Sequence, residues 1–254
     1  MEIVIDNIEQ FKNFFDVIYE SSSDSLELRL FPDRMVCGVL DRSRTRFFHA
    51  EFKEDFFDVY TIDDLESVVI NIDDINLLLN TCNKTDTLSL EINDPYMVAK
   101  ISSENGNSRV FEFVLPTDTV DTPSTPHLDL PFEFKCDISN IKQSVDDITK
   151  ITNIAGQDLF VFNIINKELN ITTSDDTNTK YVNIIPVTFE KESDENVASQ
   201  FTLEFIKQMT KLNKISKEVT IKLGNDMPMF FTFEDALMSV KVSGLVAPRI
   251  SEEE

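Results

Sequence analysis

The 254-residue chain carries 46 acidic against 23 basic residues, a formal charge of −23, so net charge excludes a general attraction to phosphates and leaves only a local gathering of cations to serve a nucleic-acid partner. With 41% hydrophobic residues, 21 of them Phe, the chain can bury one large core or two ordinary ones and is not a disordered acidic segment. Cys37, Cys82 and Cys136 are too far apart for a paired-cysteine metal or redox site and read as small core residues in a reducing compartment. No basic, apolar leader and no long apolar run occurs, so the expectation is an intracellular protein with no membrane partner.

In chain order, Ile8, Phe11, Phe15 and Ile18 form the first helical stripe, opened by Asp6 or Asn7 as N-cap. Strand-like alternation follows at LELRL (26–30) and RFFHAEF (46–52). A second helix runs from Asn71 through Ile72, Ile75, Leu78 and Leu79, and alternation returns at LSLEI (88–92) and RVFEFVL (109–115). The next stretch, PTDTVDTPSTPHLDLP, is rich in proline and has neither period, which predicts an extended connector. A strand starting near Phe132 leads into a third helix after Asp137, with Ile138, Ile141, Val145 and Ile148 at the spacing of the first. Strands at LFVFNII (159–165) and YVNIIPV (181–187) precede a fourth helix from Thr202 through Leu203, Ile206 and Met209. Strands at VTIKL (219–223), MFFTF (229–233) and MSVKVSGLV (238–246) complete the chain.

A shift of about 130 residues lays helix one on helix three, helix two on helix four, and LSLEIND (88–94) on VTIKLGN (219–225). The chain is therefore read as an internal duplication with an α+β fold, each copy holding two helices on a mostly antiparallel sheet. The expected boundaries are a first domain at 1–116, a connector at 117–131 and a second domain at 132–254.

Residues for catalysis do not assemble. His49 lies in a strand pattern and His127 in the connector, and no two of the five glycines are close enough for a phosphate loop. The acidic pairs Asp73-Asp74, Asp146-Asp147 and Asp175-Asp176 lack the alternating ligands of an oxygen cage and read as solvated faces. Neither an enzyme nor a cofactor is expected.

Three motifs carry a resemblance along the whole chain: VLDRSR (39–44), KLGNDMPM (222–229) and LVAPRISEEE (245–254). They are similar to the Met-Asp-x-Ser loop, a strand and turn, and the acidic C-terminus of proliferating cell nuclear antigen, the sliding-clamp family of archaea and eukaryotes. The resemblance implies two clamp domains per subunit and a trimeric ring that encircles duplex DNA, with helices lining the hole. It implies as partners a DNA polymerase, a clamp loader and other replication and repair proteins bearing a clamp-binding peptide. Location would be cytoplasm or nucleoid in an archaeon and nucleus in a eukaryote.

Residue by residue, the resemblance places Lys12, Lys84, Lys142, Lys150, Lys207, Lys211 and Lys214 toward DNA. The last three fall at i, i+4, i+7 on helix four, a pattern that by spacing alone reads as a solvated face. Where relatives carry basic residues, this chain has Asn13 and Tyr19 on helix one, Leu77 and Asn80 on helix two, and Asp146 on helix three. The partner-peptide pocket would take Leu40, Val120, Pro123, Leu128, Pro228, Leu245, Ala247 and Pro248, and the subunit interface Arg109, Phe111, Phe113, Lys180, Tyr181 and Asn183. Competing readings are a checkpoint-type clamp subunit of a hetero-ring, an acidic scaffold without DNA contact, and a hydrolase with an acidic metal site.

Overall fold

A computed structural model of the chain describes residues 1–20, 24–117, 120, 124–125, 127–155, 158–174 and 180–249. It divides into two compact units, Met1–Thr125 with Glu234–Val242, and Pro126–Phe233 with Ser243–Glu254.

The first unit opens with β1 (Glu2–Ile5), α1 (Ile8–Tyr19), β2 (Ser25–Phe31), β3 (Arg34–Leu40) and β4 (Arg46–Lys53). It continues through β5 (Val59–Thr61), β6 (Glu66–Asn71), α2 (Ile72–Thr81), β7 (Thr87–Asn93), β8 (Tyr96–Ser102) and β9 (Ser108–Val114). The second has β10 (Phe132–Asp137), α3 (Ile138–Ala155), β11 (Leu159–Ile165), β12 (Glu168–Ser174), β13 (Lys180–Ile185) and β14 (Thr188–Lys191). After these come β15 (Val197–Thr202), α4 (Leu203–Thr210), β16 (Glu218–Leu223) and β17 (Met229–Glu234), and last β18 (Val240–Val246), whose first three residues belong to the first unit.

The duplication is visible in the strand order. In the first unit the strands run β5-β1-β7-β8-β9 and β4-β3-β2-β6, and in the second β14-β10-β16-β17 and β13-β12-β11-β15. Every pairing between these strands is antiparallel. Within each unit the two helices pack on one another, α1 on α2 and α3 on α4. The α+β expectation holds.

Polar side chains start the helices as anticipated. Asn7 Oδ1 accepts from the Gln10 amide at 3.4 Å, Asn71 Oδ1 from the Asp73 amide at 2.8 Å, and Asp137 Oδ1 from the Ser139 amide at 2.8 Å. The stripes Ile8, Phe11, Phe15, Ile18 and Ile138, Ile141, Val145, Ile148 are all buried. Phe14 and Val17 are buried too, so α1 turns a broader face inward than its stripe suggested. Phe11 lies 4.7 Å from Phe15 and 5.4 Å from Phe52, ring centre to ring centre, which ties α1 to β4. Cys37 and Cys136 are buried and Cys82 is half-buried, and burial raises all three thiol pKa values, to about 12 for Cys136 and about 11 for Cys82.

One expectation needs correction. The fourth α-helix stops at Thr210, and Lys211–Lys214 form a 3-10 turn, so Lys207, Lys211 and Lys214 do not share one α-helix. Their stripe nonetheless persists: four α-helical steps of about 100° advance about 40° past a full turn, and three 3-10 steps of about 120° return to the same azimuth.

In the second unit the sheet tolerates no side chain at Gly244. A Cβ there would lie 2.1 Å from Cζ of Phe231, whose ring is fully buried and packs 6.0 Å from Phe233. Gly244→Ala is expected to lower unfolding free energy by about 1–3 kcal/mol, the cost of overpacking a rigid core. Urea titration would show this as a fall in midpoint at constant slope, and an unchanged midpoint would mean that the Phe231 ring has room to move.

Candidate partner-peptide and DNA sites, and the strand edges

Two chain segments that are remote in sequence from one another meet on β15 in the second unit. The Ala198 amide donates to Asn225 Oδ1 at 2.9 Å, Ser199 Oγ to the Gly224 carbonyl at 2.6 Å, and the Arg249 amide to the Gln200 carbonyl at 2.7 Å. Consecutive residues of one strand thus hold both the KLGNDMPM turn and the C-terminal tail. The Arg249 guanidinium also pairs with Asp158, which ends the tail's freedom just after Pro248. The connector's end reaches the same turn: a Cβ on Gly224 would lie 3.1 Å from Pro131 Cδ and 3.3 Å from Leu130 Cδ2. Lys191 fixes it further, donating to Asp129 at 2.6 Å and to the Leu130 carbonyl at 2.7 Å. Leu128, Pro228, Leu245, Ala247 and Pro248 are all half-buried on these segments.

Leu40 and Val120 belong to the first unit, Leu40 exposed and Val120 half-buried, while Pro123 lies outside the described residues. Leu40 ends β3 beside a loop built on Asp41. That carboxylate accepts from Ser43 Oγ at 2.6 Å, the Thr45 amide at 2.7 Å, Thr45 Oγ1 at 2.9 Å and the Arg46 amide at 2.9 Å. These donors hold Arg44 at φ +58°, the left-handed region that residues other than glycine seldom occupy. Burial alone would raise the Asp41 pKa, but the Ser43, Arg46 and Thr45 donors outweigh it and hold the carboxyl below its ordinary value.

The sign of the pH dependence follows. The folded value is depressed, so the loop's contribution is complete above the unfolded carboxylate value of about 3.9 and is lost as pH falls through the folded value. Asp41→Asn is expected to be less stable than the parent by about 1–3 kcal/mol near neutrality, with the gap closing in acid. Paired urea titrations across pH would measure it, and a gap independent of pH would show that the charge is not what holds the loop.

The candidate DNA-facing lysines mostly have partners. Lys12 donates to Asn80 at 2.8 Å, Lys84 pairs with Glu9 at 2.9 Å, Lys150 with Asp147 at 3.2 Å and Lys207 with Glu204 at 3.4 Å. Lys142 and Lys214 are exposed and Lys211 is half-buried. Asn80 is an acceptor for Lys12, a role that a lysine there could not fill. Asn13 is buried, so its position presents nothing to a phosphate, whereas Tyr19 and Leu77 are exposed.

The two strands read as subunit edges each end their sheet, β9 beside β8 and β13 beside β12. Arg109 turns back into its own unit, donating to the Thr81 carbonyl at 2.7 Å and to buried Asp86 at 2.7 Å. Asp86 also accepts from the Asn83 amide at 2.9 Å and Ser103 Oγ at 2.7 Å; the Asn83 amide first, then Ser103, lower its pKa against burial. Tyr181 and Asn183 likewise reach back to α3, at Asp147 and Ser144. Phe111 and Phe113 stack on one another with ring centres 6.2 Å apart, and Lys180 is exposed. Sequence reading missed the opposite faces of the same strands, where Val110, Val114, Val182 and Ile184 are 64%, 68%, 49% and 56% exposed. The available signal was an aliphatic pair on one face of each strand, Val182 and Ile184 two positions apart and Val110 and Val114 four apart with Glu112 between them.

Among the described residues no group of His, Cys, Asp and Glu is arranged to hold a metal. No protein-family model matches the chain. It is 28% identical over 244 residues to a DNA polymerase sliding clamp of Methanothermobacter thermautotrophicus, covering 94% of each chain. To that of Methanobrevibacter smithii it is 28% identical, covering 96% of this chain and 95% of the other. Among solved structures, the PCNA2-PCNA3 complex of Sulfolobus tokodaii matches with a TM-score of 0.83 at 20% identity, covering 98% of this chain and 99% of the other. A. fulgidus PCNA, solved with the C-terminal region of FEN-1, matches with a TM-score of 0.82 at 20% identity over 99% of both chains. The resemblance read from the three motifs is borne out by both sets of relatives.

Proposed function

We propose that this chain, a sliding-clamp relative in sequence and fold, is one subunit of a trimeric ring that encircles duplex DNA and tethers proteins to it without catalysing a reaction. Each subunit is read as two clamp domains, 1–116 and 132–254, joined by the connector at 117–131. The observation that carries the ring is the pair of unpaired strands, β9 and β13, whose outward aliphatics would otherwise meet water. Pairing β9 of one subunit with β13 of the next satisfies both edges and generates a closed, head-to-tail assembly. Val110→Lys with Val114→Lys is expected to leave the subunit folded, within about 0.5 kcal/mol of the parent, yet shift its mass in solution to that of a monomer. A trimer that survives both lysines would place the subunit contact elsewhere.

DNA contact is assigned to Lys12, Lys84, Lys142, Lys150, Lys207, Lys211 and Lys214. The exposed ion pairs some of them make contribute only about 0–1 kcal/mol, so a phosphate can displace the carboxylate. Such contacts position without reading bases, which suits sliding. Replacing Lys207, Lys211 and Lys214 by Ala is expected to weaken DNA association and flatten its salt dependence while the ring persists, because counterion release scales with neutralised phosphates. A binding curve and salt slope equal to the parent's would reduce the stripe to a solvated face.

The peptide pocket is assigned to Leu40, Val120, Pro123, Leu128, Pro228, Leu245, Ala247 and Pro248, with the anchoring of the turn, tail and connector end on and around β15 as its support. Fixed segments of this kind would receive a few apolar anchors of a partner at little ordering cost. The partners are a DNA polymerase, a clamp loader and other replication or repair proteins carrying the peptide, inside the cell. The whole reading is tested by polymerase processivity on closed circular and linear DNA: stimulation that requires a loader on the circle supports it, and equal loader-free stimulation on both refutes topological tethering.

A further inference from the structure

A third strand edge, that of β6 in the first unit, has a different setting from the other two. β6 is the outer strand of β4-β3-β2-β6, and its outer side faces a cleft of about 360 Å³. Residues 66–69, consecutive along β6, all line that cleft. Successive side chains of a strand point to opposite faces, so a run of consecutive lining residues means that the backbone edge itself faces the space. Ile92, Leu115, Pro116 and Val120 line the same cleft and give it an apolar part.

The charge of the cleft is one-sided. Glu27, Glu66 and Asp94 line it, and a second cleft of about 510 Å³ shares Met1 and Glu66 with it and adds Glu2, Asp63, Asp64 and Glu91. Among the described residues no lysine or arginine lines either one; the Met1 ammonium, donating to the Ile92 carbonyl at 3.4 Å, is a cation on their walls. Glu27 is already engaged by Arg29 at 2.9 Å and Ser67 at 2.5 Å, whereas Asp63, Asp64 and Glu66 are exposed.

We infer that the β6 edge is a docking groove for an extended, lysine- or arginine-bearing segment of a partner protein, which adds to the sheet as one further strand. Main-chain pairing to β6 supplies the register, alternate apolar side chains meet Leu115 and Val120, and the intervening basic side chains meet the carboxylates. The lining run spans about 10 Å, room for about four residues of added strand. An acidic groove of this kind repels nucleic acid, so the occupant is a polypeptide. The groove lies apart from the edges assigned to ring closure and does not depend on the ring.

The probe is a labelled heptapeptide of alternating Lys and Val, titrated against the full-length protein by fluorescence anisotropy. Controls are a Glu/Val peptide and the Lys/Val peptide with alternate amides N-methylated. Expected are saturable binding of the Lys/Val peptide, at least tenfold weaker binding after N-methylation, and at least tenfold weaker binding to the folded double variant Asp64→Lys, Glu66→Lys. Amide exchange within 66–69 should slow only when peptide is added. Equal affinity of the N-methylated peptide would reduce the effect to surface charge and overturn strand addition. So would absence of binding, or amides of β6 already protected without peptide, which would give the edge to the chain's own connector.

Discussion

A sheet that ends in solvent leaves a row of peptide groups with no partner but water, and this constraint shapes the surface of the molecule. Helix packing closes the interior of each unit, α1 on α2 and α3 on α4, but it cannot close the outer strands. β6, β9 and β13 are three such edges among the described residues. Their side chains differ in kind: aliphatics stand out from β9 and β13, while carboxylates surround β6. The first combination favours association with a like edge, and the second selects a basic strand and discourages self-pairing.

The edges assigned to ring closure are also tied to the helices beneath them. Arg109 links the start of β9 to the C-terminal end of α2 and to buried Asp86, and Asn183 links β13 to Ser144 on α3. Polar residues on these strands therefore hold each edge in place, and the outward aliphatics are left to make contact. This division explains how an edge can be exposed without fraying, since a strand with partners on its inner face loses little order when its outer face is open.

Acidity and DNA binding are compatible because field is local. The lysines assigned to DNA lie on or beside the helices, and several are paired with a carboxylate on the same or the neighbouring helix. Those pairs lower the positive potential of the helical surface, whereas Lys12, held by the neutral amide of Asn80, keeps its full charge.

By itself the sequence determined the helices, the duplication and the fold class, because apolar residues at helical spacing and polar N-caps are local signals that survive without tertiary context. Asn7, Asn71 and Asp137 act where local chemistry placed them, and the stripes they open are buried. About half of the strands were legible from alternation; β6, β12 and β15 were not, since three consecutive aliphatics, Val68–Ile70, blur the period in β6, and polar Thr173 and Ser199 stand at buried positions in β12 and β15. Tertiary structure alone decided the rest. That Ala198, Ser199 and Gln200 anchor the Gly224 turn and the Arg249 tail depends on segments distant in sequence meeting on one strand, which no spacing encodes. The inward turn of Arg109, the burial of Asn13 and the end of α4 at Thr210 are likewise choices between water and a particular neighbour, and the neighbour exists only once the chain has folded.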